Sequence, residues 1–167
     1  CNYLKRKLDL NYDYNKEVMI TVGGSEAIDL AIRAMINPGE EVLIPQPSYV
    51  SYVPCVELAY GVPVIIELKE ENEFRLTKQE LLDHITDKTK ILVLPFPNNP
   101  TGAIMERADL EEIAQVCIEN DIFVISDEIY SELTYGREHV SIACLPEMRE
   151  RTVLINGFSK AYAMTGW

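Results

Sequence analysis

The chain has 167 residues, 47% hydrophobic and 25% charged, enough to bury the core of one ordinary globular domain and too apolar for intrinsic disorder. A formal net charge of −12 argues against nucleic acid or an anionic membrane as the main partner, since both call for clustered Lys and Arg. Four scattered cysteines, Cys1, Cys55, Cys117 and Cys144, form no CxxC pair, and no apolar run reaches the ~18 residues of a membrane span; together these point to reduced thiols in a cytoplasmic protein.

The chain opens at Cys1 without a signal-peptide pattern, and both ends read as interior points of a longer polypeptide. In chain order, "EVMITV" (17–22), "EVLIP" (41–45), "VPVIIEL" (62–68), "KILVLP" (90–95), "IFVIS" (122–126) and "TVLIN" (152–156) are short β-branched runs, the type expected of strands buried on both faces. Helical spacing of apolar residues falls between them, over 25–36, 49–60, 77–85 and 106–121. Thr77 with Glu80 forms a capping-box signature, and Pro38-Gly39 closes the first helix. Regular alternation of strand and helix predicts a three-layer α/β/α domain around a mostly parallel six-stranded sheet with right-handed crossovers. No repeat, low-complexity stretch or Gly/Ser linker marks a second domain.

Open α/β sheets bind ligands beyond the carboxyl ends of their strands, so the residues that follow each strand carry the functional information. "GGSEA" (23–27) places two glycines and a serine hydroxyl at a helix start, where free N–H groups suit a phosphate; a plain βα turn uses the same residues, and neither GxGxxG nor GK[ST] is present. "PQPSY" (45–49) stiffens a loop that ends in Tyr49, a flat surface for a planar ligand or a simple packing residue. "PFPNNPTG" (95–102) is a rigid loop whose X-Pro bonds are candidates for the cis form. "SDEIY" (126–130) delivers Asp127 and Tyr130 at a spacing that lets both reach one polar ring. The last strand delivers Ser159-Lys160; such a lysine is either a surface charge or an amine able to form a Schiff base.

One ligand answers all five strand ends. It needs a phosphate for Gly23, Gly24, Ser25 and Ser159, a flat ring for Tyr49, and a phenolic oxygen for Asn99 and Tyr130. It also needs a basic ring nitrogen for Asp127 and an aldehyde for Lys160. Pyridoxal 5′-phosphate has every one of these groups.

The motifs "TVGGSEAI", "PQPSYVSY", "PFPNNPTGAI", "VISDEIYSELTY" and "INGFSKAYAMTGW" stand in the order and at the separations of the fold type I pyridoxal-phosphate enzymes, and the chain resembles their class I/II aminotransferases of the aspartate and aromatic type. The resemblance implies amino-group transfer from an L-amino acid to a 2-oxo acid, with Lys160, Asp127 and Tyr130 as the catalytic residues. Lys160 corresponds to the lysine that binds the cofactor's aldehyde and moves the substrate α-proton. Asp127 corresponds to the partner of the pyridine nitrogen, Tyr130 and Asn99 to the pair on the ring oxygen, and Tyr49 to the stacking aromatic. Gly24, Ser25 and Ser159 correspond to phosphate ligands.

Two departures follow from the same resemblance. Gly157 stands where many relatives carry a hydroxyl residue directed at the phosphate. The family pattern also continues past Trp167 into a phosphate-binding arginine, a seventh, antiparallel strand between the first and the sixth, and a small domain with a carboxylate-binding arginine. Residues 1–167 are therefore expected to be an incomplete large domain, without the N-terminal segment and the small domain. Alone it should be marginally stable and inactive, and at full length a homodimer. A pyridoxal-phosphate C–S lyase, an α-synthase, and the effector domain of a transcription regulator share these motifs and stand as alternatives.

Overall fold

In the computed structural model residues 1–166 are described; Trp167, which ends the closing motif, lies outside the described residues. The elements in chain order are α1 (Asn2–Leu8), α2 (Gly23–Met35), β1 (Glu41–Gln46), α3 (Tyr52–Leu58), β2 (Val62–Glu67), α4 (Lys78–Leu82), β3 (Thr89–Leu94), α5 (Arg107–Glu119), β4 (Phe123–Asp127), β5 (Thr152–Ile155) and α6 (Phe158–Ala161). Single 3-10 turns at Ser131–Leu133, Ile142–Cys144 and Arg149–Arg151 fill the long β4–β5 connection.

The five strands form one parallel sheet in the order β2-β1-β3-β4-β5. Their registers align Val42 with Ile91, Leu92 with Val124, and Asp127 with Ile155. Because side chains alternate along a strand, each apolar run splits between two cores. Leu43, Leu92, Leu94 and Val124 pack with Leu81, Leu110, Ile113 and Cys117 on the α4/α5 side. Val42, Ile44, Ile91, Val93 and Ile125 pack with Ile28, Ile32, Tyr52 and Val56 on the α2/α3 side. Burial on both faces is why these strands read as continuous hydrophobic runs, each large aliphatic contributing about 1.5–3 kcal/mol over exposure. The result is the α/β/α sandwich expected from the alternation.

The first predicted strand, 17–22, is not formed. Residues 17–22 have neither helix nor strand structure, and Met19 and Ile20 are 73% and 89% exposed. They face the outer edge of β5 across a groove of about 420 Å³ walled by α2 and Thr152–Asn156. A β-branched run becomes a strand only when a neighbour takes up its N–H and C=O groups, and across this groove none does.

Helix boundaries also move. α2 starts at Gly23, two residues earlier than predicted, with the Glu26 carboxylate accepting the Val22 N–H. α3 starts at Tyr52 rather than 49, after a turn through Tyr49, Val50 and Ser51. The Thr77/Glu80 capping box is present in both directions, and Glu106 with Asp109 caps α5 in the same way. α1 and α6 are too short to declare themselves by periodicity. α1 buries no residue and carries Lys5, Arg6 and Lys7 in its last turn, where they face the negative end of the helix dipole.

Candidate active site

The order β2-β1-β3 means that the chain leaves β1 in one direction to make β2, then crosses back to make β3. That reversal opens a crevice beyond the carboxyl ends of the strands. A cavity of about 310 Å³ occupies it. Gly23, Gly24, Ser25, Tyr49, Asn99, Asp127, Tyr130, Ser159 and Lys160 all line it, so the fold brings together every residue singled out from the sequence.

Each wall follows from local structure. At the start of α2 the first N–H groups have no carbonyl a turn behind them, and those of Gly24 and Ser25 belong to this free set. Gly23 has a φ of 78°, a left-handed conformation that favours glycine and turns the chain from residues 17–22 into the helix. The Ser25 hydroxyl lies 3.2 Å from that of Tyr49, and this hydrogen bond pulls the Tyr49 phenol below its usual pKa. Tyr49 in turn meets Tyr52 edge to face, with ring centres 5.8 Å apart at 85°.

The 95–102 loop is held by Asn98 rather than Asn99. Asn98 is buried, and its side-chain oxygen accepts from the Thr101 N–H and hydroxyl at 3.3 and 3.0 Å while its backbone pairs with Gly102 and Ala103. This Asx-type turn leaves the exposed Asn99 on the cavity wall. The Phe96-Pro97 and Asn99-Pro100 bonds are cis, as is Gln46-Pro47 in the loop before Tyr49.

Asp127 forms the floor. It is 6% exposed, accepts a 2.8 Å hydrogen bond from the Tyr52 hydroxyl on Oδ2 and a 3.2 Å bond from the Ile129 N–H on Oδ1. Burial pushes its carboxyl above the usual range; the two donors pull against that shift, and the like charge of Glu128 adds to it. Tyr52 is held firmly protonated by burial and by the adjacent Asp127 carboxylate. Among the described residues Asp127 has no cationic partner. A buried carboxylate facing a cavity without a counter-ion calls for a ligand that brings a proton or a positive charge.

Lys160 is placed as either of its two readings allows, a surface charge or a reactive amine at the cavity. It lies on the short helix α6 and is exposed at the cavity rim. Its Nζ sits 5.8 Å from the centre of the Tyr130 ring, within the range of a cation–π contact. Gly157 precedes α6, and a Cβ there would come within 2.9 Å of the Ile129 side chain. That contact is with Cδ1, the flexible end of the Ile129 side chain, so a larger residue here would need only Ile129 to shift. Tyr52 is the site residue missed from the sequence. Its only signal was the second tyrosine of "SYVSY", three residues after Tyr49 and one helical turn away.

A parallel α/β/α domain with this crevice has the architecture of the large domain of pyridoxal-phosphate-dependent transferases. The chain belongs to the aminotransferase class I and II family, whose model matches residues 1–167. It is 50% identical over 165 residues to an aspartate aminotransferase of Pyrococcus abyssi, covering 98% of this chain and 42% of that protein. It is 47% identical over 164 residues to aromatic-amino-acid aminotransferase 2 of Thermococcus litoralis, with 98% and 42% covered. The crystal structure of an aromatic aminotransferase from Pyrococcus horikoshii superimposes with a TM-score of 0.97 at 47% identity, over 99% of this chain and 44% of that one. The chain therefore spans less than half the length of the relatives it matches.

Proposed function

We propose that the protein to which this chain belongs is a pyridoxal-phosphate-dependent aminotransferase that moves the amino group of an L-amino acid, aromatic, aspartate or similar, to a 2-oxo acid. The observation that carries this reading is Asp127. It is buried, has no counter-ion among the described residues, and lies at the floor of a cavity whose rim holds an amine, Lys160, and whose far wall holds a helix N-terminus.

The residues present fit that cofactor chemically. Pyridoxal phosphate, when bound, supplies an aldehyde and an electron-withdrawing pyridine ring. Asp127 would hold a proton on the ring nitrogen, an interaction that commonly moves a pKa by ~1–3 units. Tyr52, by donating to Oδ2, favours the ionised form of that carboxylate against the effect of burial. Asn99 and Tyr130 would bind the ring oxygen, Tyr49 would cover one face of the ring, and Gly23, Gly24, Ser25 and Ser159 would hold the phosphate. The Lys160 amine would secure the aldehyde and, when the substrate's amine takes its place, act as the base that moves the proton from the substrate α-carbon.

The same reading makes the full-length protein a cytoplasmic homodimer. Four free cysteines, a net charge of −12, and the lack of any described helix long and apolar enough to cross a membrane support the compartment. The test is the absorbance of the full-length protein with added pyridoxal phosphate, followed by a panel of amino-acid donors. New visible absorbance and 2-oxo-acid formation are expected. Ammonia or thiol release without transfer would assign an eliminase, and an unchanged spectrum would overturn the reading.

A further inference from the structure

Directly behind Asp127 lies a second carboxylate that the proposed chemistry does not use. Val124 packs on the α5 side, so alternation along β4 puts Ser126 there and Asp127 toward the cavity; Glu128, the residue after β4, joins Ser126 by accepting from its hydroxyl. Glu128 is 0% exposed and does not line the cavity. Its Oε1 accepts from the hydroxyls of Ser126 at 3.0 Å and Ser141 at 2.6 Å, and its Oε2 lies 2.8 Å from Nε2 of His139. Ser141 and His139 belong to the long connection between β4 and β5, so the carboxylate ties that connection to the end of β4.

The backbone of the same residue makes two further ties. Its N–H donates to the Ile155 carbonyl at 2.8 Å, and its carbonyl accepts from the Ser131 N–H at 2.9 Å. Asn156 then donates to the Ser131 hydroxyl at 3.3 Å, one residue before Gly157 and α6. The turn carrying Ile129 and Tyr130 is thus clamped between Glu128 and Ser131, and the clamp reaches the segment that delivers Ser159 and Lys160. An apolar residue at 128 would fill this space with no desolvation penalty, so stability alone does not call for a carboxylate here. What a carboxylate with three directed donors provides is a defined position.

We propose that Glu128 is a positioning residue that acts through Asp127 and Tyr130, fixing one against the ring nitrogen and the other against the ring oxygen of the cofactor. This rests on the aminotransferase reading above. The test compares full-length wild type, Glu128→Gln and Ser141→Ala in the presence of pyridoxal phosphate, reading the absorbance band of the bound cofactor, the melting temperature, and the single-turnover rate per bound cofactor.

Displacement of groups that hold a reacting ring costs roughly 10- to 100-fold in rate. Glu128→Gln is expected to lose that much, with kcat falling more than KM rises and with a shifted absorbance band. Ser141→Ala should shift both in the same direction by less, and it decides the question should Glu128→Gln not fold. Wild-type spectra and wild-type rates per bound cofactor in the variants, whatever their melting temperatures, would reduce Glu128 to a structural role and overturn the proposal. Absence of a cofactor band in wild type itself would instead overturn the aminotransferase reading, and this proposal with it.

Discussion

Asp127 and Glu128 are consecutive carboxylates, both buried, yet they sit in opposite electrostatic situations. Glu128, on the back of β4, has two hydroxyl donors and a histidine around it. Asp127, on the front, has Tyr52, one backbone N–H, and a cavity. A polar group that holds neighbouring residues in place is satisfied within the fold, whereas one that meets a ligand directly is left short of partners on the side the ligand approaches. The difference between neighbours is set at the end of β4, where one faces the cavity and the other joins Ser126 on the α5 side.

Front and back can be separated by experiment. The largest effect belongs to the rim: Lys160→Ala in the full-length protein should lower the single-turnover rate by roughly 10⁴-fold, the upper end for a residue that transfers a proton. Asp127→Asn should keep the cofactor bound but lose roughly 10²–10³-fold of the same rate; a retained rate would remove Asp127 from the chemistry. Tyr52→Phe deletes one hydrogen bond to a charged group, worth about 1.5–3 kcal/mol, and should cost ~10- to 100-fold.

A smaller effect concerns stability and has the opposite sign. Asp127 titrates higher in the folded chain than at its ordinary value of 3.8, chiefly because it is buried. Its contribution to folding is therefore fully present below that ordinary value and is lost as the pH rises through the raised one. Asp127→Asn should accordingly raise the melting temperature of the cofactor-free full-length protein at neutral pH, and this gain should vanish as the pH falls toward 4. Equal melting temperatures at pH 7 would show that the fold already satisfies the carboxylate. The smallest effect is expected at Gly157. Its backbone is extended and only the mobile end of Ile129 lies in the way, so Gly157→Ala should cost no more than about 1 kcal/mol by denaturant melting.

Much of this site was legible in the chain, because strand ends in an open parallel sheet converge whatever the details of packing. Gly24, Tyr49, Asn99, Asp127 and Lys160 could each be set at the end of an apolar run, and the sheet order then places them around one crevice. Tyr52 was not legible: its hydroxyl meets a carboxylate 75 positions away, and nothing local distinguishes it from a packing tyrosine. Glu128 was hidden for the same reason, since Ser141 and His139 reach it through a connection with almost no regular structure. The loop was read from "PFPNNPTG", but which asparagine holds it and which faces the cavity followed from Asn98 closing a turn on Thr101.

The runs "ILVL" at 91–94 and "VMITV" at 18–22 mark the boundary between the two kinds of knowledge. Both are β-branched and apolar, and composition alone assigns both to a strand. Ile91 to Leu94 lie between β1 and β4 with helices on either face, whereas Met19 and Ile20 are exposed and pair with no strand among the described residues. The amino-acid order by itself determined the α/β alternation and the chemistry offered at each strand end, because these depend on local periodicity and on side-chain type. Only the tertiary structure decided which apolar run became a strand and which carboxylate was left facing the cavity, because strand pairing and charge satisfaction depend on partners distant in the chain.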